Sequence, residues 1–141
     1  MGFGATGFWP GLTLNALRIV AGFLFLQHGA QKLFGLWGRE APVELVSLLG
    51  LAAVLEFFGG ILVVLGAFTR PVAFVLAGQM AVAYWMAHGV KSFSPFELAS
   101  FWPIVNRGEL AALYCFVFLL LWTHGGGSFS LDALLRKGKT T

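Results

Sequence analysis

From Leu45 to Phe68 the chain runs for 24 residues with a single charge, Glu56. A helix of that length can cross the hydrocarbon of a bilayer, and a carboxylate inside it is costly unless the protein receives it. The same conflict arises earlier, where Arg18 interrupts the apolar stretch from Gly11 to about Gln31. Both residues must turn away from lipid and find partners inside the fold.

The composition supports a membrane protein. Of 141 residues, 58% are hydrophobic and 11% charged, with a mean hydropathy of +0.84. A soluble domain carries roughly 25% charged residues, and a water-soluble fold of this size could not cover so much apolar surface. A single all-α domain is expected, a polytopic membrane four-helix bundle. Its spans fall at about 11–31, 45–68, 71–88 and 109–124, and a short C-terminal interfacial helix at 129–137 follows.

Local signals set the ends of these elements. Pro71, just after Thr69 and Arg70, suits a first helical position, where a missing N–H costs nothing. Asn106 and Glu109 form a capping-box pattern at the start of the fourth span. After Gly125-Gly126-Gly127, Ser130 is placed to cap the tail helix, in which Leu131, Leu134 and Leu135 share one side. Trp37, Phe93, Phe96, Phe101 and Trp102 are expected at the membrane interfaces.

The remaining composition narrows the partners. A net charge of +3, with basic residues scattered apart from Arg136, Lys137 and Lys139, suits lipid headgroups rather than nucleic acid. With Cys115 alone, no internal disulfide or Cys-x-x-Cys pair can form. No Lys or Arg precedes the apolar residues of Met1–Gly11, so the first helix is expected to insert and stay. Basic residues tie between the two sides. The charged tail places the termini in the cytoplasm.

Helical spacing defines the inward faces. Arg18, Gly22, Phe25, Gly29 and Lys32 form one stripe of the first helix. Ala52, Glu56, Gly60, Val63 and Ala67 form another on the second. Small residues permit close helix approach. Counting about 1.5 Å per residue from each end puts Arg18 roughly 10 Å deep and Glu56 roughly 18 Å from the same surface. An Arg18–Glu56 pair is therefore expected, helped by Gln79 of the third helix. It would serve either as a structural ion pair or as a proton-handling or headgroup-binding site.

Topology gathers a second cluster. In a four-span chain His28, Gln31, Lys32, His88, Lys91, Asn106 and Glu109 share one side, with His124 on the other. His28, His88 and Glu109 can exchange protons near neutral pH, and Tyr84 with Trp85 offers a flat wall for a ring. Two histidines on different helices also raise bis-imidazole haem ligation as a weaker alternative. No metal is expected, because no dense ligand motif is present.

These residues resemble a known family. Leu17-Arg18-Ile19 with Leu24 to Gly35, then Leu55-Glu56-Phe57-Phe58-Gly59-Gly60 and Leu65 to Arg70, are similar to the motifs of the DoxX family of small bacterial and archaeal membrane proteins. Asn106 to Glu109 and Gly125 to Asp132 match in order. The resemblance covers about Leu12 to Lys137. Gly126 departs from it, standing where many members have proline.

The resemblance implies a four-helix protein of the cytoplasmic membrane associated with respiratory or redox complexes. The expected function is that of a membrane subunit of an oxidoreductase system, any catalysis requiring a partner, that binds a quinone or similar lipophile. Arg18 and Glu56 would be its catalytic pair; His28, Gln31, Lys32, Gln79, Tyr84, His88 and Glu109 would line the ligand site. A scaffold or assembly subunit, bound to other subunits or to itself, is the alternative. A small-solute carrier is the weaker one, since no repeat is evident.

Overall fold

The computed structural model describes residues 8–89 and 102–138, all helices and connections. Lys91, Phe93, Phe96, Phe101 and Lys139 lie outside these residues. The helices are α1 (Phe8–Phe34), α2 (Leu48–Leu65), α3 (Thr69–Ala83), a four-residue α4 (Pro103–Asn106), α5 (Glu109–His124) and α6 (Leu131–Lys137). A π-helical turn, Tyr84–Gly89, continues α3. By length and composition, α1 and α2 can each cross a membrane, and α5 is a shorter apolar helix.

The long helices pack as two pairs, α1 on α2 and α3 on α5. Glycine sets the first pairing. A methyl group at Gly22 would meet the backbone N of Val64 at 2.9 Å and the carbonyl of Gly60 at 3.0 Å; one at Gly60 would meet the Leu26 N at 2.7 Å. Gly29 sits equally close to Ala53 and Phe57. Both stripes expected from the sequence thus face each other, backbone against backbone.

The second pairing uses ordinary side-chain packing. Ala73, Leu76, Ala77 and Met80 of α3 meet Ala111, Phe118 and Leu121 of α5 in the core. Phe25 joins the two pairs, with its ring centroid 4.8 Å from that of Phe118 and 5.0 Å from that of Tyr114. Large apolar side chains on the outside, such as Phe23, Leu51, Phe74 and Phe116, are exposed, as lipid-facing positions require.

Arg18 and Glu56 are both buried, at 1% and 3% exposure, yet they do not meet. The glycine contacts set an antiparallel register in which Arg18 lies opposite Val64, eight residues past Glu56, a rise of about 12 Å. An arginine side chain cannot cover that distance while also turning inward. The guanidinium instead donates from Nη1 to the carbonyls of Val63, at 2.7 Å, and Val64, and from Nη2 to the Phe129 carbonyl at 2.6 Å. The expected pair is therefore replaced by an arginine that caps α2, at the negative end of its dipole.

The chain beyond α5 is strapped to this end of the bundle. Asn15 accepts from the Phe129 N–H and donates to the Ser128 hydroxyl, and the Asp132 N–H donates to the Gly66 carbonyl. The Asp132 carboxylate accepts the N–H groups of Phe68 and Thr69, both at 2.8 Å. It thereby caps α3, whose own N-cap residue Phe68 provides no side-chain bond. Burial disfavours its ionisation, but the two N–H groups and nearby Arg136 outweigh that and hold the carboxyl below its ordinary 3.8.

Other helix ends differ from expectation. Because Asp132 supplies the cap, α3 begins at Thr69, two residues before Pro71. Asn106 does not complete a capping box. Its Oδ1 accepts from the Gly108 N–H at 2.7 Å, and Gly108 is the N-cap of α5. Ser130 does cap α6, accepting from the Ala133 N–H, and Leu134 and Leu135 stand outward, 63% and 65% exposed.

Candidate functional site

The two helix pairs separate away from the α2–α3 turn, and a cavity of about 760 Å³ occupies the seam. Leu48, Leu51, Val82 and Met86, all exposed, form its outer rim, while Phe25 and Tyr114 form part of its wall. Besides the Tyr114 phenol, its polar groups are His28, Lys32, Glu56, Gln79, His88 and Arg107. An apolar cleft with a few convergent polar groups is the usual form of a small-ligand site.

Lys32 and Glu56 anchor the polar side. The Lys32 ammonium lies 2.5 and 2.7 Å from the two carboxylate oxygens, so the α2 acid finds its counter-ion on α1 after all. Lys32 lies 14 residues along α1 from Arg18, and its flexible stem turns inward along the apolar wall instead of reaching out to headgroups. Gln79 donates from Nε2 to the Ala52 carbonyl at 3.2 Å and lies 3.4 Å from Glu56. Its Oε1 is buried with no hydrogen-bond partner among the described residues.

The histidines hold different positions. His28, one helical turn before Lys32, presents its ring edge-on to Tyr114, with centroids 6.4 Å apart, and has no hydrogen-bond partner among the described residues. His88, on the π turn, has Nδ1 at 2.9 Å from the Asn106 carbonyl. A carbonyl only accepts, so Nδ1 carries a hydrogen in this contact. Arg107, at φ +60°, stands on the short connection between α4 and α5.

A DoxX family model matches residues 13–89, more than half of the chain. The chain belongs to the DoxX family. The matched segment holds His28, Lys32, Glu56, Gln79 and His88, while Arg107 and Tyr114 lie beyond it. Relatives at similar length include an uncharacterised Haemophilus influenzae protein, 37% identical over 127 residues, covering 84% of this chain and 87% of its own. Two Escherichia coli proteins follow. Inner membrane protein YphA is 33% identical over 87% of this chain and 89% of its own; inner membrane protein YqjF is 29% identical over 85% and 89%. No solved structure matches the chain.

Within this DoxX chain, five residues expected at the site share the cavity: His28, Lys32, Glu56, Gln79 and His88. Four do not line it. Arg18 is spent on the α2 end. Gln31 donates to the Trp37 carbonyl at 3.1 Å, tying down the α1–α2 loop. Tyr84 packs its ring beside Gly108 and edge-on to Trp85, and Glu109 opens α5 exposed.

Sequence reasoning missed Phe25 and Tyr114 as cavity walls and Arg107 as a cavity cation. Arg107 had a usable signal, since it sits between Asn106 and Gly108 just before the fourth span, on the side of the bundle where His28 and His88 were expected. For Arg18 the signal was α2 itself. That helix ends at Gly66 with no basic residue in its last turn, so its terminal carbonyls needed a donor from elsewhere.

Proposed function

We propose that this DoxX protein is a multi-pass membrane subunit of a respiratory or redox system, with termini in the cytoplasm, that binds a quinone or similar lipophile in the seam between its helix pairs. The observation behind this is the cavity itself: an apolar cleft whose outer rim is exposed leucine, valine and methionine and whose interior holds the Lys32–Glu56 ion pair. A lipophile can enter such a site sideways from the bilayer. Its polar head would meet Lys32, Glu56 and His28, while its tail stays among the rim side chains.

The proposed work of each group follows from its chemistry. Lys32 donates to a ring oxygen. Glu56 holds and orients Lys32, and Gln79 offers the buried amide oxygen as an acceptor. His28 and His88 are placed to take up or release protons between the head and the aqueous side. Electron transfer would require a partner subunit.

The test is extraction of purified protein with organic solvent and chromatography of the extract. A quinone present at near one per chain, and lost in Lys32→Met and Glu56→Gln variants that remain folded, supports the proposal. Its absence from folded wild-type protein points to the second reading, a scaffold or assembly subunit. That reading is favoured by one specific feature: Arg18, Asn15 and Asp132 are all occupied in holding helix ends and tail.

A further inference from the structure

Charge in the cavity is unevenly distributed. Among the described residues lining it, Glu56 is the single carboxylate, and Lys32 already neutralises it at 2.5 Å. Arg107 then remains as a full positive charge, with no hydrogen bond or ion pair to any described residue, and His28 and His88 bring no negative charge to offset it. A neutral head would leave this excess unanswered. An anionic head would answer it, because a charge-assisted, two-pronged bond to a guanidinium is worth more than one made by a neutral group.

The rim fixes the remainder of the ligand. Leu48, Leu51, Val82 and Met86 are exposed and apolar, so the side facing the bilayer accepts hydrocarbon and offers an anion no partner. The polar groups come from α1, α2 and α3 and from the loop end, where Arg107 and His88 flank Asn106. The site thus has an apolar entrance and a cationic end.

We infer that the cavity takes a membrane-resident amphiphile with an acidic head, a carboxylate or phosphate, and that Arg107 is the residue that selects the charge. This rests on the cavity being the lipophile site proposed above, and it names an acidic head in place of the neutral quinone ring.

The test immobilises the full chain in dodecyl maltoside and follows tritiated palmitate by scintillation proximity. Unlabelled palmitate, lysophosphatidate, hexadecanol and a decyl-substituted benzoquinone serve as competitors. The expectation is that palmitate or lysophosphatidate displaces the label at concentrations about tenfold lower than hexadecanol or the quinone, a gap in the range of one charge-assisted bond. Which of the two acids is stronger identifies the source, a free fatty acid or a phospholipid headgroup.

Arg107→Gln should remove that gap and Arg107→Lys should keep most of it. Arg107 is an exposed connection residue, so both variants are expected to fold. Equal displacement by hexadecanol and palmitate, or a gap unchanged in Arg107→Gln, overturns the inference. If the quinone competes well while charge makes no difference, lipophile binding survives and only the anionic preference falls; if nothing binds saturably, both fall.

Discussion

The Lys32 ammonium grips Glu56 by both carboxylate oxygens, at 2.5 and 2.7 Å, in the seam between the two helix pairs. The pair links α1 to α2 beside the close approach of Gly29 to Phe57, and both residues line the cavity. It satisfies the acid that first constrained the fold, and it leaves the Lys32 side accessible from the cleft.

Breaking this pair from either side should have unequal effects. Lys32→Met strands a nearly fully buried carboxylate and should cost about 3 kcal/mol. Glu56→Gln should cost less, because the longer and less buried lysine can turn toward the cleft. The double variant should regain most of the loss. Thermal unfolding in detergent, arranged as a double-mutant cycle, measures the coupling; a coupling near zero would mean that the two charges act independently.

Arg18 should behave as a structural residue. Arg18→Met removes three carbonyl contacts that join α1, the end of α2 and the tail, and should destabilise by about 2–4 kcal/mol. Limited proteolysis should then cut near Gly125 to Ser130 well before any other site. Lipophile binding by the fraction that remains folded should be unchanged, since Arg18 does not line the cavity.

The division between legible and illegible parts has a physical cause. Periodicity identified the faces carrying Arg18, Gly22 and Gly29 and carrying Glu56 and Gly60, because burying a charge and allowing close approach both act on one residue at a time. Pairing depends on register. Register here comes from Gly22 against Gly60 and Gly29 against Ala53, a contact between two chains of spacing that span boundaries alone locate too loosely. Docking of Phe129 and Asp132 onto α1 and α3 joins residues more than 60 positions apart, so no local pattern announces it.

Asp132 makes stability depend on acid pH. Its carboxyl is held below the ordinary 3.8 in the folded protein, so the folded state binds fewer protons there than the unfolded one. The contribution is complete above that ordinary value and is lost as the pH falls below it through the lower folded value. Asp132→Asn keeps one acceptor oxygen and loses the other, which should cost about 1 kcal/mol at neutral pH, and its unfolding temperature should converge with that of the wild type at the acid end. A constant difference down to the lowest pH would show that the carboxylate charge has no part in capping α3.

Glycine positions offer an internal control. At Gly60 a methyl group would press on the Leu26 backbone, whereas at Gly78 it would meet nothing within 4 Å. Gly60→Ala should lose about 1–3 kcal/mol by forcing α1 and α2 apart. Gly78→Ala, in exposed helix, should gain about 0.5–1 kcal/mol. Chemical denaturation of the two variants side by side reads both signs.

The most direct measurement is photo-crosslinking with a quinone-headed, diazirine-tailed probe in membranes, with the labelled residues mapped by peptide mass spectrometry. The account predicts labels on cavity residues such as Met80, Met86 and Tyr114, suppressed by excess unlabelled quinone and reduced in Lys32→Met. Labels spread over outward residues such as Phe23 and Phe116, insensitive to competitor and to Lys32, would contradict it.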